Sequence, residues 1–351
     1  MPNTLSKEKL HNLNEIITPV SLVFLKKIGE YKGKQILYSN QQQEHLDKLQ
    51  MNALIDNTLA SNNIDNINIK YNEFMCLFEG MKEPDNNIES ETIRYLKVLN
   101  LINSHFDSVE LSSDLVLQFH KNLFGYKPDQ GGKWKPLDNI IEKPNNDGTS
   151  SISFIPVSAE KTPAEVEDLC LSYHSIINED DIVDLIVIAA FILDFLCIHP
   201  FTVGNGRVAR LLTQLMLYQQ DYQVAKYISL DKIILENRSK YIYNLQNASQ
   251  NWHEQRHKIA GWVEFFLRVI YLGYTDLDKH IFHIKNKKGA KSQQVKMIVN
   301  MMPAQFKVSD ICNKCSGISR PTINKVLQEM RDNKQIAPCS MGRDAIWKKL
   351  F

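Results

Sequence analysis

The sequence predicts an all-α domain interrupted by one β-hairpin, followed by a small winged helix-turn-helix domain. Apolar residues recur at helical spacing through most of residues 41–276, and the stretch 131–156 is the clear exception. Residues 283–351 carry 14 Lys and Arg against 4 Asp and Glu (net +10), whereas residues 1–282 carry 27 against 36 (net −9). A chain of 351 residues is long enough for two domains. The predicted parts are a lead-in at 1–40, a helical domain at 41–282 and a winged helix-turn-helix domain at 292–351.

The N-terminal part of the chain predicts one short strand and four helices. Residues 35–38 have the character of a strand within an otherwise mixed lead-in. The first helix, 41–60, is predicted to end at the polar cluster 61–66, because Ser, Asn and Asp favour turns. Ser112 or Ser113 is the predicted N-cap of the fourth helix, since a hydroxyl accepts from the free N–H groups of a first turn. The four predicted helices are 41–60, 71–79, 89–106 and 112–124.

The middle of the chain predicts the hairpin and then the most apolar helix. Two strands, 140–141 and 152–155, flank the turn residues 144–148. Thr162 and Pro163 are predicted to cap the next helix, with proline in its first turn. The helices predicted after the hairpin are 162–177, 182–198, a motif helix to about 220, 229–249 and 259–276, which makes about nine helices in this domain.

The basic C-terminal region has the spacing of a helix-turn-helix. A short helix at 308–315 and a second at 319–330 are separated by a tight turn at 316–318. Residues 336–347, with Gly342 at a turn, predict the β-wing of a winged helix.

Cysteine usage and hydropathy exclude several classes of protein. The six cysteines lack the spacing of a disulfide framework and the polar N-terminus predicts no signal peptide, so we expect a cytoplasmic protein. The apolar run 182–198 contains Asp184 and Asp194, which indicates a core helix and no membrane contact. Cys312 and Cys315 lack a second ligand pair at zinc-finger spacing and are predicted to pack in a core.

The stretch after this apolar run gathers hydrogen-bond donors and positive charge around one histidine. Residues 199–210 read His-Pro-Phe-Thr-Val-Gly-Asn-Gly-Arg-Val-Ala-Arg. Gly204 and Gly206 flank Asn205 and let the backbone N–H groups turn inward as an anion nest at a helix N-terminus. The two arginines lie on one face of that helix, where they oppose the helix dipole unless an anion compensates them. A histidine with a pKa of about 6.5 suits a general base, so the stretch predicts a polyphosphate site with proton transfer.

Residues 199–210 resemble the signature loop of the Fic family, His-Pro-Phe-x-(Asp/Glu)-Gly-Asn-Gly-Arg-x-x-Arg, in eight of its nine defined positions. The order of helices, the upstream hairpin and residues 240–245 are also similar, so the resemblance covers roughly residues 45–275. It implies a Fic-type helical bundle that transfers AMP from ATP, the co-substrate, to a Ser, Thr or Tyr hydroxyl of a protein. The winged helix is an attachment seen in many such proteins.

The same resemblance implies roles for individual residues. His199 is the catalytic base, and Phe201 anchors the loop in the core. Tyr241 falls where the family often has a nucleotide-contacting tyrosine. The hairpin at 137–156 is the expected flap, which docks the target protein by strand addition. The residues implied in ATP and phosphate binding are Gly204, Asn205, Gly206, Arg207, Val208, Ala209, Arg210 and Tyr241.

Val203 stands where the family has the acidic residue that binds Mg²⁺. A valine side chain cannot ligate a hard cation. Mg²⁺ is expected with ATP, but the sequence identifies no protein ligand for it. A carboxylate from elsewhere, coordination by phosphate and water, a dispensable metal and damaged catalysis all fit this residue.

A second departure concerns a segment that inhibits many members of the family. Residues 61–66 have the spacing of the inhibitory motif Ser/Thr-x-x-x-Glu-Gly/Asn, but Asp replaces Glu. The resemblance implies that Asp65 pairs with Arg210 and displaces the γ-phosphate of ATP, with Ser61 and Asn66 completing the motif. Because aspartate is one methylene shorter than glutamate, we predict a looser latch. The simpler interpretation is an ordinary polar helix end.

Several functions stay open from the sequence. The same loop could transfer UMP or phosphate, because it does not read the base, and removal of AMP from a modified protein is a further activity of the family. A catalytically weakened, nucleotide-binding and DNA-associated regulator is the alternative from another class. Self-modification, a homodimer and DNA contact through 308–347 are also left open. The candidate DNA-facing residues are Ser319, Arg320, Thr322, Asn324 and Lys325.

Overall fold

The computed structural model describes residues 4–39, 43–127, 129, 131–144, 149–286, 290–315, 318–339 and 346–350. The chain divides into two compact units, Met1–Leu277 and Asp278–Phe351, and the division falls within a long helix. Across the described ranges, no helix is both long enough and apolar enough to span a membrane.

The first unit is a bundle of helices with one β-hairpin, which confirms the predicted fold class. Ser112 caps the seventh helix as predicted, because its hydroxyl accepts from the Leu115 N–H at 3.2 Å. A 3-10 turn, Phe106–Ser108, follows the sixth helix. The elements are α1 (Lys7–His11), α2 (Leu13–Ile16), α3 (Pro19–Ser39), α4 (Gln43–Ile64), α5 (Tyr71–Phe78), α6 (Asn87–His105), α7 (Ser113–Phe124), β1 (Ile141–Pro144), β2 (Ser150–Phe154), α8 (Thr162–Ile176), α9 (Asp184–Ile198), α10 (Asn205–Gln219), α11 (Val224–Tyr227), α12 (Leu230–Glu236), α13 (Arg238–Ser249) and α14 (Ala260–Asn286), which continues into the second unit.

Helix α9 is the centre of the first unit because its sequence is apolar on every face, a pattern that predicts burial all round. Every side chain in 185–198 is buried, and α8, α10 and α13 pack against it. Its buried carboxylate, Asp194, accepts from the N–H groups of Thr4 and Leu5, each at 2.9 Å. Trp252 Nε1 donates to the same carboxylate at 2.7 Å. These bonds satisfy the buried charge and tie the N-terminal segment to the helix that leads into the motif loop.

The predicted hairpin is present, with β1 antiparallel to β2 and Ile141 paired with Phe154. Residues 145–148 of its predicted turn lie outside the described residues. The Phe154 ring stacks on the His253 ring with centroids 5.6 Å apart, and His253 Nε2 donates to the Ile155 carbonyl at 2.7 Å. The end of β2 is therefore fixed to the helical bundle through the segment after α13.

The strand predicted at 35–38 is wrong, because these residues belong to helix α3. Gln35 shows the reason. Its amide Nε2 donates to the Asp221 carbonyl at 2.6 Å, and its Oε1 accepts from the Tyr274 hydroxyl at 2.8 Å. These partners lie far along the chain, so four residues of local pattern could not show that the segment packs as a helix.

The helix predicted at 41–60 also needs correction, because α4 continues to Ile64. Asn62 Nδ2 donates to the Thr58 carbonyl at 2.8 Å, and this bond one turn back lets a polar residue remain helical. After Ile64 the chain turns out of the helix, and Asn66 has a φ of 61°, in the left-handed region that asparagine tolerates.

Smaller corrections concern helix boundaries and number. The predicted helix 229–249 is divided, because Asn237 ends α12 and begins α13. Thr162 is the first residue of α8 and not its cap; the N-cap is Lys161, whose side chain makes no capping bond. The described helices of this unit outnumber the nine predicted, since the lead-in is itself helical as α1, α2 and α3.

The described residues of the second unit form three helices of its own and a three-stranded antiparallel sheet of order β3-β5-β4. Helix α16 followed by α17, with β4 and β5 after them, fits the predicted winged helix-turn-helix. Cys315 is buried in the apolar core of this unit and Cys312 packs against it. Residues 316–317 of the predicted turn and Gly342 of the predicted wing lie outside the described residues. The elements are α15 (Ala290–Met301), β3 (Gln305–Lys307), α16 (Val308–Lys314), α17 (Arg320–Asp332), β4 (Ile336–Pro338) and β5 (Ile346–Lys349).

Candidate active site

Two residues in the left-handed conformation turn the chain from α9 into α10. His199, which ends α9, has φ 52° and ψ 60°, and Gly204, which precedes α10, has φ 83°. A side chain at Gly204 is excluded, because a Cβ there would lie 2.3 Å from Cε2 of Phe124. Glycine is therefore required at this position both by the dihedral angle and by the approach of the phenyl ring.

Asn205 holds the loop closed from within. Its Oδ1 accepts from the Phe201 N–H at 2.9 Å, and its Nδ2 donates to the Phe201 carbonyl at 2.7 Å. The Phe201 ring is fully buried and stacks on the His120 ring with centroids 3.7 Å apart, a position that fits a loop anchor. Because the Asn205 side chain is bound to the loop itself, only its backbone N–H remains for the predicted phosphate contact.

The first turn of α10 presents backbone donors at the loop. Its first intrahelical bond runs from the Val208 N–H to the Gly204 carbonyl at 3.0 Å. The N–H groups of 205–207 come before this bond and have no acceptor carbonyl within the helix. These donors and the helix dipole favour an anion. The Val208 N–H is already bonded, and the side chains of Val208 and Ala209 are buried. We therefore leave these two residues out of the phosphate site.

His199 has the geometry of a neutral ring with one nitrogen available as an acceptor. Its Nδ1 lies 3.3 Å from the Leu196 carbonyl. A carbonyl can only accept, so Nδ1 carries the proton and Nε2 keeps its lone pair. Burial lowers the pKa of His199 to about 4, against the opposing effect of the bond to Leu196. At neutral pH the ring is unprotonated at Nε2, which is the state that a general base requires.

Lys135, which no sequence motif marked, fixes the backbone around the motif histidine. Its Nζ donates to the Ile198 carbonyl and to Asn139 Oδ1, each at 3.1 Å. Its backbone N–H donates to the Pro200 carbonyl at 2.9 Å. Burial lowers the pKa of Lys135 to about 8. The one signal in the sequence was its place in the non-helical stretch 131–136.

His120 fixes the carbonyl group of Val203, the residue that stands where the family has an acidic side chain. Nδ1 of His120 accepts from the Gly132 N–H at 3.1 Å, so Nε2 carries the proton and donates to the Val203 carbonyl at 3.1 Å. The Val203 side chain is 39% exposed and has no oxygen for a cation. Throughout the described part of the chain, no three His, Cys, Asp or Glu residues are grouped so that they could hold a metal ion. The described residues therefore provide no cage of protein ligands, and Mg²⁺ would have to be held chiefly by the ATP phosphates and water.

Arg210 is held by the segment predicted to inhibit the site. Its Nε donates to Ser61 Oγ at 2.6 Å and its Nη2 to the Ser61 carbonyl at 2.9 Å. The same Nη2 donates to Asp65 Oδ2 at 3.0 Å. Burial opposes the charge of Arg210, but the carboxylates of Asp65 and Asp231 raise its pKa above the ordinary value. The aspartate thus reaches the arginine although it is one methylene shorter than glutamate.

Arg207 is paired with a second carboxylate, Glu91 of α6, which the sequence did not mark. Arg207 Nη1 donates to Glu91 Oε2 at 2.8 Å, and Arg207 Nε lies 3.6 Å from Asp65 Oδ2. The Tyr126 hydroxyl donates to Glu91 Oε1, and Lys127 Nζ lies 3.4 Å from the same oxygen. Burial alone would raise the pKa of Glu91, but Tyr126 and Arg207 together lower it. Glu91 is therefore an ionised partner of the first motif arginine.

Asp65 lies over the anion nest. A Cβ built on Gly206 would lie 3.1 Å from Asp65 Oδ1 and 3.1 Å from Arg210 Nη1. Among the described contacts, Arg207 Nε is a buried donor that makes no hydrogen bond, which marks room for one more acceptor. Two anions so close repel each other. A phosphate bound to the nest and to these arginines therefore competes with the Asp65 carboxylate.

Asn66, the third residue of the predicted inhibitory motif, acts on the turn that carries Asp65. Its Oδ1 accepts from Arg238 Nη2 at 3.1 Å, and the same nitrogen donates to the Ile64 carbonyl at 2.9 Å. Arg238 thereby joins the end of α4 to the start of α13. These bonds fix the backbone turn from which the Asp65 carboxylate reaches Arg210.

Tyr241 is buried beside Arg210 and lines a small cavity with it. Its ring centroid lies 5.8 Å from that of Trp262 and 6.0 Å from that of Phe265. The cavity that these side chains share with Arg210 and Asp231 has a volume of about 40 Å³, room for a few waters and not for a nucleobase. Burial raises the pKa of Asp231 to about 6. Tyr241 therefore lies against Arg210 in this structure, and its contact with a nucleotide stays a prediction.

Replacing Glu91 with glutamine is expected to make the site bind anions more tightly while weakening the fold. Arg207 would keep its burial but lose its negative partner, which costs about 2 kcal/mol in the free energy of unfolding. Inorganic pyrophosphate would then raise the melting temperature of Glu91→Gln by more than it raises that of the wild type. Glu89→Gln is the control, because Glu89 lies on the same helix and pairs with Lys82. An equal pyrophosphate effect in both variants would contradict the assignment.

Residues 110–217 match the model of the Fic/DOC family, so this part of the chain, which includes the motif loop, is a Fic/DOC family domain. Three solved structures share the fold. A Fic family protein from Desulfovibrio desulfuricans G20 is 18% identical with a TM-score of 0.64, over 95% of this chain and 96% of that one. A Fic domain containing signaling protein from Bacteroides thetaiotaomicron VPI-5482 is 18% identical with a TM-score of 0.62, over 72% and 96%. Fic-1 from C. elegans (residues 134–508 of that protein) is 19% identical with a TM-score of 0.56, over 77% and 75%.

Proposed function

We propose that this protein transfers AMP from ATP to a Ser, Thr or Tyr hydroxyl of another protein. One observation carries the proposal: His199, with Nε2 unprotonated, begins a loop on which Arg207, Arg210 and three backbone N–H groups converge. A general base beside an anion-binding site can transfer a phosphate-linked group to a hydroxyl, because the base takes the hydroxyl proton and the donors stabilise the phosphate charge. Fic domains generally transfer nucleotidyl groups to proteins, which supports AMP as the group transferred.

In the proposed reaction, the target hydroxyl oxygen attacks the α-phosphorus of ATP and its proton passes to His199 Nε2. The bond from the α-phosphorus to the bridging oxygen breaks, and pyrophosphate leaves with the electron pair. Arg207, Arg210 and the N–H groups of 205–207 hold the phosphate oxygens and offset the charge that develops on the leaving group. A Mg²⁺ ion bound with ATP would neutralise the phosphate oxygens further, and no side chain of this protein is assigned as its ligand.

We propose that Asp65 keeps this site in a state of low activity. The γ-phosphate would bind at Arg210 Nη2, which donates to the Asp65 carboxylate. ATP could then bind only with its terminal phosphate displaced, which misaligns the α-phosphorus for attack. Release requires only that the Asp65 side chain turn away, since it is 28% exposed and lies after the last residue of α4.

The hairpin is the proposed docking site for the target protein. Strands β1 and β2 form a two-stranded sheet, so an extended peptide can pair with an outer edge. Ile140, Ile152 and Ile155 on or beside these strands are 50–58% exposed and would supply apolar contacts. A hydroxyl of a second copy of this chain could dock in the same way, which would give self-modification within a homodimer.

The second candidate is a nucleotide-binding regulator with weak or no transfer, and Val203 is the observation that favours it. Transfer of UMP or phosphate is the nearest rival among enzymes, because the loop contacts phosphates and does not read the base. ATP labelled at the α- or the γ-phosphate, incubated with the protein and a cell extract, separates these cases. The proposal expects label on protein from the α position, lost in His199→Ala. Label from the γ position, or nucleotide binding with no transfer, would contradict it.

Replacing Val203 with aspartate is expected to raise transfer in Mg²⁺ and to change nothing when a chelator is present. The new carboxylate would stand at the family's acidic position, where it can share a hard cation with the phosphates. Val203→Asn is the control, because it adds an oxygen without adding charge. A gain in Val203→Asp that persists with chelator would show that the residue acts without a metal.

A further inference from the structure

Helix α17 of the second unit has a polar outward face that carries no Asp or Glu over most of its length. In α17 the buried side chains are Ile323, Val326, Leu327 and Met330, which form one apolar stripe. The opposite face carries Asn324, Lys325 and Gln328, all exposed. These three residues lie at spacings i, i+1 and i+4 and so form one patch. This outward face adds nothing to the core of the unit and belongs to no part of the proposed transfer site.

The charges of this helix are arranged for an anionic partner. Residues 320–328 contain two cations and no acid. The acids come only in its last turns, and both are already paired: Glu329 with Lys296 at 3.1 Å, and Asp332 with Arg331 at 3.0 Å. The surrounding region, 283–351, has a net charge of +10. A surface of this kind attracts a polyanion at long range.

The patch also has the side chains that distinguish base pairs. Asparagine and glutamine amides pair with both N6 and N7 of adenine in the major groove, and lysine bonds O6 and N7 of guanine. They lie in the first three turns of the second helix of a helix-turn-helix, the part that enters the groove. The hydroxyl oxygens of Ser319 and Thr322 lie 2.9 Å apart at the start of the helix, so one hydroxyl can donate to a flanking phosphate while it accepts from the other. The core of a protein-docking surface is instead depleted of lysine and enriched in aromatic side chains, and Asn324, Lys325 and Gln328 include no aromatic residue.

We propose that the second unit binds double-stranded DNA and reads its sequence through Asn324, Lys325 and Gln328. This is a function separate from the proposed AMP transfer, and it uses none of the residues of that site. Lys325 would contribute both a base contact and positive charge. Asn324 and Gln328 would contribute only discrimination between base pairs. The three residues therefore have different expected effects on binding.

The full chain, mixed with a pool of duplexes that have a randomised centre, tests the proposal. Repeated selection should enrich one short sequence containing adenine. On that sequence Asn324→Ala and Gln328→Ala should each weaken binding about 10-fold, and each should relax selection at one base pair. On a mixed-sequence duplex the same variants should bind like the wild type. Lys325→Gln should weaken binding to both, and should lower the slope of log Kd against log KCl by about 1 between about 50 and 200 mM.

Lys70→Gln is the matched control, since Lys70 precedes α5 in the first unit and its side chain is 86% exposed. It removes the same charge and should leave DNA binding unchanged. All four side chains are exposed, so circular dichroism and melting temperatures should match the wild type. The proposal is overturned if no sequence is enriched, if Lys70→Gln weakens binding as much as Lys325→Gln, or if single-stranded RNA competes as well as duplex DNA.

Discussion

Replacing Asp65 with glycine is expected to raise the rate of AMP transfer about 10- to 100-fold at subsaturating ATP. The substitution removes the carboxylate that lies over Gly206 and accepts from Arg210 at 3.0 Å. A hydrogen bond between charged groups contributes about 1.5–3 kcal/mol, which corresponds to that range of fold-change. Asp65 follows the last residue of α4, so glycine does not interrupt the helix. Initial rates with α-labelled ATP measure the effect.

Asp56→Gly is the control for this variant, because Asp56 lies on the same helix but pairs with Lys232 at 2.9 Å, away from the motif arginines. It should show no activation, although a glycine within the helix will lower stability by about 1 kcal/mol. Asp65→Asn keeps the size and loses the charge, so its rate should fall between those of the wild type and Asp65→Gly. Equal rates in Asp65→Gly and the wild type would show that Asp65 is an ordinary helix-end residue.

Replacing His199 with alanine in the Asp65→Gly background is expected to lower transfer about 100- to 10,000-fold, the usual contribution of a positioned general base. ATP affinity should change little, because the phosphates are held by the arginines and the N–H groups of 205–207. A loss of kcat with an unchanged Kd for ATP, measured by calorimetry, is the expected pattern. An equal loss of ATP affinity would mean that His199 positions the loop and does not act as the base.

Two further measurements check that His199 acts through its Nε2. His105→Ala, which changes an exposed histidine at the end of α6, should retain full activity. Because burial lowers the pKa of His199 to about 4, its basic form persists at neutral and mildly acid pH. The rate kcat/KM should therefore fall only as the pH drops through about 4, below the ordinary value of about 6.5. An acid limb near 6.5 would contradict the observed environment of the ring.

The parts of the site that could be predicted from the sequence are those encoded locally. The loop 199–210 is one continuous stretch, and its glycines and arginines carry their own geometric meaning. The inhibitory segment was predicted as well, because residues 61–66 resemble the inhibitory motif of the Fic family. The structure brings both residues to Arg210.

The parts that could not be predicted depend on contacts between distant positions. Glu91 meets Arg207 across 116 residues of sequence, Lys135 meets Ile198 across 63, and His120 meets Val203 across 83. Nothing in a local pattern distinguishes Glu91 from any exposed glutamate on an amphipathic helix. The same limit explains α3, which is helical because of partners in α14 and after α10.

Binding of ATP and AMP to the wild type and to Asp65→Gly is the most direct test of the central claim, that Asp65 occupies the place of the terminal phosphates. AMP lacks these phosphates and should bind both proteins equally. ATP should bind Asp65→Gly about 10-fold or more tightly than the wild type, since Arg210 Nη2 loses the carboxylate to which it donates in the wild type. The account is wrong if the substitution strengthens the binding of AMP and ATP by the same factor, or if it strengthens the binding of neither. In both cases the Asp65 carboxylate does not occupy the place of the terminal phosphates.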